Sequence, residues 1–147
     1  MTTPKAQTEA LMNDLVEFAE KMLSTHGEFH PFGGYLNEKN EIVHVGISPK
    51  EHWMGDQFRA DALVDSFFLL ARDISILAFG IATNVSRVDG VEENDAIRIF
   101  LEHRSGYCAD VFFHYSLESE RGATITHITA QQGIQHLFLG VDSSPEM

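Results

Sequence analysis

The stretch AIRIFLEHRSGYCADVFFHYSL, Ala96 to Leu117, decides the fold. Two runs rich in β-branched and aromatic residues flank a Ser105-Gly106 pair, the signature of a β-hairpin. The first strand reads as Ala96 to Arg104 and its partner as Tyr107 to Leu117. A two-residue turn at Ser105-Gly106 sets the register. It places His103 opposite Cys108, Glu102 opposite Ala109, Leu101 opposite Asp110 and Ile99 opposite Phe112. Ile97, Ile99, Leu101 and Phe112 then share one face. Phe100, Val111, Phe113, Tyr107 and Tyr115 share the other, beside Arg98, Glu102 and Arg104. An antiparallel sheet covered on one side only is polar on its second face. This one is aromatic there, so either helices cover both sides or one face meets a second subunit or a ligand.

Outward from the hairpin, Ile74 to Val88 reads as a long strand with Gly80 as a candidate bend. Asp89-Gly90 and the acidic run Glu92 to Asp95 form the turn that follows it. Beyond Glu118 to Gly122, another strand runs from Ala123 to about Gln131, and Gly133 sets off a last apolar piece, Ile134 to Leu139. At the other end, Thr3 can cap a helix whose first residue is Pro4. Leu11, Leu15, Phe18 and Met22, with Met12, Val16, Ala19 and Leu23 beside them, make its apolar stripe. Gly27 ends it. Phe29 to Leu36 and Glu41 to Ile47 then flank the polar turn Asn37 to Asn40 as a second hairpin. Gly33-Gly34 marks a bulge or a close backbone approach, and Pro31 marks an edge or the start of a strand. Ser48-Pro49-Lys50-Glu51 is a capping box opening the second helix. Gly55-Asp56 is a candidate break within it. Phe58, Ala62, Leu63, Phe67, Leu70 and Ala71 form its buried face, and Arg59, Asp61, Asp65 and Arg72 its polar positions. Phe68 and Leu69 widen the apolar arc, so this helix is expected to be the more buried of the two.

The order is α-β-β-α-β-β-β with one or two short elements after it. Two main helices against an antiparallel sheet of about five strands is the α+β solution. This order resembles the roadblock and profilin-like folds in topology. Residues 1–140 read as a single domain and 141–147 as a polar tail.

Composition narrows the function classes. The chain has 147 residues, 11 of them Phe, and a formal net charge of −12. Its length suits one domain with a sizeable core. Its 44% hydrophobic content is too high for a disordered acidic chain. The acidic balance argues against nucleic acid, whose phosphates need clustered Lys and Arg. The single Cys108 makes neither an internal disulfide nor a Cys-rich zinc site, and it fits a reducing compartment. Met1 to Glu9 has no basic segment followed by an apolar one, as a signal peptide requires. The densest apolar run, Ile74 to Ala82, is too short to span a bilayer as a helix. The expectation is a soluble cytoplasmic protein that avoids membranes.

Two clusters carry candidate chemistry. Leu101-Glu102-His103-Arg104 ends a strand beside a tight turn, where side chains are held firmly yet stay accessible. Glu102 and Arg104 share a face and can pair, and the ring of Tyr107 can carry the guanidinium. As structure, this is a polar cluster that pins register. As function, it is an anion or amide recognition patch with Arg104 as donor and Glu102 as its orienting partner. Glu28 to Gly34 is the second cluster, with His30 and Phe32 as candidate binding residues between a helix and a strand. Its aromatics can build an apolar pocket or simply pack the connection. The ligand-binding candidates are therefore His30, Phe32, Glu102, Arg104 and Tyr107. None of the eight histidines falls into a helix-spaced ligand set, so no metal site and no cofactor is expected. His103 opposite Cys108 suggests a nucleophilic pair, but Cys108 alternates with apolar residues and no orienting third group is identified, so no catalytic residue is assigned.

The stretches GEFHPFGGY (27–35), EIVHVG (41–46), DAI (95–97) leading into LEHR (101–104), and VFFHY (111–115) resemble a group of small, uncharacterised bacterial proteins. The resemblance implies a shared α+β domain and a bacterial, cytoplasmic setting, and it carries over no catalytic residue. The expectation is a binding domain for a small ligand or protein partner, without enzymatic activity and homodimeric. One alternative is a small hydrolase or metal-assisted enzyme built from His30, Glu102, His103 and Arg104. Another is an acidic immunity-type or chaperone-like protein that masks a basic partner, since complementary fields speed association.

Overall fold

A computed structural model describes residues 3–46, 55–85, 95–118, 122–134 and 137–138. The elements are α1 (Pro4–His26), β1 (Phe32–Asn37), β2 (Ile42–Val45), α2 (Gly55–Leu70), β3 (Ile76–Val85), β4 (Asp95–His103), β5 (Cys108–Glu118) and β6 (Gly122–Gln132). All six strands form one antiparallel sheet in the order β2-β1-β3-β4-β5-β6. The fold is α+β, with six strands where the sequence reading expects about five. The capping box at Ser48, the turn at Asp89-Gly90 and the tail 141–147 lie outside the described residues. No described helix is long and apolar enough to cross a membrane.

The first helix forms as its caps dictate. Thr3 accepts a hydrogen bond from the Ala6 N–H at 3.1 Å, and the Gly27 N–H donates to the Leu23 carbonyl at 2.8 Å. Leu11, Leu15, Val16, Ala19 and Leu23 are buried along one stripe. They meet Ala78, Ala82, Ile97, Ile99, Leu101, Val111, Phe113 and Tyr115 on one face of the sheet. The opposite face carries Phe79, Ile81, Phe100 and Cys108, packed with Leu63, Phe67 and Ala71 of the α2 segment. Helices therefore cover both faces, which accounts for strands that are apolar on both sides.

Glycine makes this double covering possible at the middle of the sheet. Gly34 pairs with Gly80 across β1 and β3. A Cβ on Gly80 would lie 2.5 Å from Leu15 Cδ1, and one on Gly33 would lie 2.9 Å from the Phe67 ring. Gly33-Gly34 marks a close approach of helices to backbone from both sides, and Gly80 belongs to the same arrangement within an unbroken register.

Two expectations for the second helix are corrected. Phe68 is 38% exposed and Leu69 67%, whereas Arg59 is only 3% exposed. Arg59, Leu63, Phe67 and Ala71 recur every four residues, and residues so spaced lie along one side of a helix. That line faces the sheet, carrying Arg59 inward and turning residues 68 and 69 away. The main sheet contacts of α2 are with β3 and β1.

Candidate functional site

The hairpin at the centre of the sequence reading uses a different turn from the one expected. The His103 N–H donates to the Tyr107 carbonyl at 2.7 Å, and the Gly106 N–H to the His103 carbonyl at 2.9 Å. Arg104, Ser105 and Gly106 thus form a three-residue loop, closed by Gly106 at φ 106°. The extra loop residue moves the register by one. Glu102 faces Cys108, Leu101 faces Ala109 and Ile99 faces Val111. Such a slip exchanges the faces of every β5 side chain. Val111, Phe113 and Tyr115 join Ile97, Ile99 and Leu101 beneath α1. Cys108, Asp110 and Phe112 join Arg98, Phe100 and Glu102 on the α2 face.

This register disperses the cluster at residues 102–104. Glu102 is 1% exposed, and its two carboxylate oxygens accept the N–H groups of Leu137 at 2.9 Å and Phe138 at 2.8 Å. It anchors the segment that follows β6. Arg104 donates to the carbonyls of Ile76 (3.0 Å), Ala71 (2.7 Å) and Asp73 (2.9 Å), binding the end of the α2 segment to the sheet. The ring beneath its guanidinium is Phe138, at 4.7 Å, in place of the expected Tyr107. Tyr107 is 36% exposed beside the loop. His103 points to the α1 side, where its Nε2 donates to Gln7 Oε1 at 2.8 Å and its Nδ1 accepts the Ser105 N–H at 3.0 Å. Burial, and next the Arg104 charge, hold its pKa below the ordinary histidine value.

His103 and Cys108 therefore lie on opposite faces, and the expected pairing does not occur. The Cys108 thiol is pushed up to about 12 by burial and by the carboxylates of Glu102 and Asp110. It stays protonated at neutral pH, which makes it a poor nucleophile.

The second cluster is elsewhere again. Phe32 is buried on the α1 side, with its ring edge-on to Phe18 at 5.0 Å and to Phe29 at 5.7 Å. His30 is exposed in the connection before β1. Phe32 sits in the cross-strand row of Ala82 and Ile99, while Glu102 sits in the row of Tyr35, Phe79 and Cys108 on the other face. The five sequence candidates thus fall into two separate groups. Among the described residues, no three His, Cys, Asp or Glu side chains are placed to hold a metal ion.

A cleft of about 590 Å³ instead opens on the α2 face. Ala60, Asp61 and Val64 of α2 form one wall, and Gln131 to Ile134 form the other. Ile81, Thr83, Arg98, Phe100 and Asp110 make the floor. Arg98 and Asp110 are held as a two-pronged ion pair, with Nε to Oδ1 at 2.8 Å and Nη2 to Oδ2 at 2.7 Å. The bonds to Asp110 raise the Arg98 pKa. Asp110 is 6% exposed, whereas the Arg98 side chain is 44% exposed and reaches the open space. A second depression of about 530 Å³ adjoins the first at Gln131 to Gln132 and includes Tyr107 and Cys108.

None of the five sequence candidates lines the larger cleft, and only Tyr107 lines the smaller. The missed pair, Arg98 and Asp110, was concealed by the register. A two-residue turn puts Asp110 on the Leu101 face, away from Arg98. The signal that reveals the pair is Gly106 read as the left-handed residue of a three-residue loop. No family model, curated protein or solved structure matches the chain.

Proposed function

We propose that the protein is a non-enzymatic binding domain, self-associating as a homodimer, that takes a small ligand in the cleft between α2 and the end of β6. The observation that carries this reading is the lining of the cleft. Apolar side chains of Ile81, Val64 and Phe100 surround one fixed polar pair, Arg98 and Asp110, with the amide side chains of Gln131 and Gln132 at the rim. A mostly apolar concavity of about 300–1,000 Å³ with a few oriented polar groups is the usual form of a small-molecule site. Asp110 already has both oxygens engaged by Arg98, so the outward part of the guanidinium is the donor left for a ligand. The chemistry fits a compact, partly apolar molecule carrying a carbonyl or carboxylate. The protonated Cys108 thiol and the turning of His103 to the other face support binding over nucleophilic catalysis.

A fragment library of aromatic amides and carboxylates, screened by ligand-observed NMR against the full chain, tests the reading. Binders are expected, and Val64→Trp, which fills the cleft wall, is expected to abolish their signals while retaining the native circular dichroism. Arg98→Gln should lose carboxylate binders and keep part of the amide set. Binding that survives Val64→Trp, or no binding at all, would overturn the assignment.

A further inference from the structure

Among the described residues, β6 is one of the two edge strands of the sheet. It is 11 residues long and contains no Asp, Glu, Lys, Arg or Pro, in a chain whose formal charge is −12. Thr124 and residues 126–132 are exposed. Natural sheets usually guard an exposed edge by shortening it or by placing Lys or Pro there. β6 is long and carries neither Lys nor Pro, and the one such device in it is a bulge.

Its sequence is also nearly palindromic. Outward from the midpoint between Thr126 and His127 come Ile125 and Ile128, then Thr124 and Thr129, then Ala123 and Ala130. In a regular strand this symmetry would be useless. Residues 125 and 128 would point to opposite faces, whereas residues directly opposed in an antiparallel pair share a face.

The register shift in β6 removes that obstacle. His127 pairs with His114 and Ile125 with Tyr115, so Thr126 is an extra, bulged residue. Beyond the bulge the alternation is inverted. Ile125 opposes Tyr115 and Ile128 opposes Phe113, both on the α1 face, and Ala123 and Ala130 share that face through Leu117 and Val111. Thr124 opposes Ser116 and Thr129 opposes Phe112, both on the α2 face. Each member of the palindrome therefore matches its mate in both identity and face.

We propose that β6 is the homodimer strand. Two copies pair antiparallel through it about a two-fold axis at Thr126-His127. Ile125 then lies opposite the partner's Ile128, and Thr124 opposite the partner's Thr129. Such an interface is isologous, each half presenting the same surface to the other. A second copy is the occupant that the palindrome selects, because only the strand's own sequence repeats it in reverse. Two strongly acidic chains also meet along a strip that carries no formal charge, where their mutual repulsion is least. At one end the Ala123 N–H donates to Ser24 Oγ at 3.3 Å, so the inter-subunit ladder is confined to Thr124 to Thr129.

This inference rests on the homodimer part of the proposed function and names its strand. The test is size exclusion with light scattering on the full chain over a concentration series, with two sets of variants. Ile128→Lys adds a charge at a residue already 57% exposed and is expected to give a folded monomer. The pairs Ile125→Cys with Ile128→Cys, and Thr124→Cys with Thr129→Cys, probe the register. Neighbouring pairs of a ladder alternate between hydrogen-bonded and closer non-hydrogen-bonded spacing. At least one pair should therefore give a disulfide-linked dimer on oxidation, and no single cysteine variant should. If Ile128→Lys fails to fold, the cysteine pairs decide alone. A native monomer would overturn both the homodimer reading and this one. A native dimer that neither Ile128→Lys dissociates nor the cysteines trap would leave the homodimer standing and overturn β6. Dissociation by Ile128→Lys without either cross-link would overturn the two-fold placement.

Discussion

Glu102 shows how one buried charge can hold a segment that the sheet does not reach. Its carboxylate is 1% exposed and takes two backbone N–H groups that follow β6. Hydrogen bonds to an ionised acceptor are stronger than those between neutral groups, and a buried donor left unmade costs about 1–3 kcal/mol. Glu102→Ala is expected to destabilise by about that amount for each amide it orphans. It should also release the segment that carries Leu137, whose side chain is fully buried. Glu102→Gln keeps one acceptor oxygen and should lose less. Hydrogen exchange at the Leu137 and Phe138 amides checks this, and unchanged protection in both variants would refute the anchor. Arg104 works by the same logic with the opposite sign, since its donors satisfy three carbonyls. Read from sequence, both residues looked like recognition chemistry because charge beside a turn usually meets solvent. Their partners are backbone groups more than 25 residues away, which no local pattern encodes.

Among the elements, each helix approaches its own glycine of the sheet, α1 at Gly80 through Leu15 and α2 at Gly33 through Phe67. Gly80→Ala would set a Cβ 2.5 Å from Leu15 Cδ1, the end of a flexible side chain. Gly33→Ala would set one 2.5 Å from the backbone oxygen of Gly80, which cannot move without the sheet. Overpacking a close-packed core costs about 1–3 kcal/mol. Gly80→Ala should fall within that range and recover when combined with Leu15→Val. Gly33→Ala should lie at its upper end or beyond, and Leu15→Val should not rescue it. Thermal or denaturant unfolding of five variants, the two glycine singles, Leu15→Val and the two doubles, forms the paired cycles, and equal rescue of both glycines would defeat the explanation. The existence of these elements was legible because caps, alternation and turns are local signals. Thr3, Pro4 and Gly27 bounded α1 correctly for that reason. The β4–β5 register was not legible to within one residue, because Ser105-Gly106 suits a two-residue loop as well as a three-residue one.

For the whole molecule, acid is the informative perturbation. His103 and His114 are both held below the ordinary histidine value by burial, and next by Arg104 and His127 respectively. The fold therefore favours their neutral forms. The unfolded chain titrates them near about 6.5. Stability is complete above that pH and falls as pH drops from it toward the lowered folded values. His103 has a structural reason to resist protonation, since its Nδ1 accepts the Ser105 N–H. Glu20 acts in the opposite sense, because burial raises its pKa, but its effect belongs to the carboxylate range. The melting temperature is expected to fall between pH 7 and pH 5, and to fall less in His103→Gln. Identical slopes for the native chain and the variant would contradict this.

The sequence by itself determined the α+β class, the placement of the strands, the first helix and an apolar pattern demanding cover on both sheet faces. Periodicity and capping are properties of neighbours along the chain, and they survive without tertiary context. The palindrome in β6 was also present in the sequence, but without the bulge at Thr126 it has no consistent facing. Only the tertiary structure decided which side chains share a face. It set the hairpin register through Gly106 at φ 106°, brought Arg98 to Asp110, and parted His103 from Cys108. A one-residue slip costs nothing locally yet exchanges every face of a strand, so the choice falls to packing against α1 and α2.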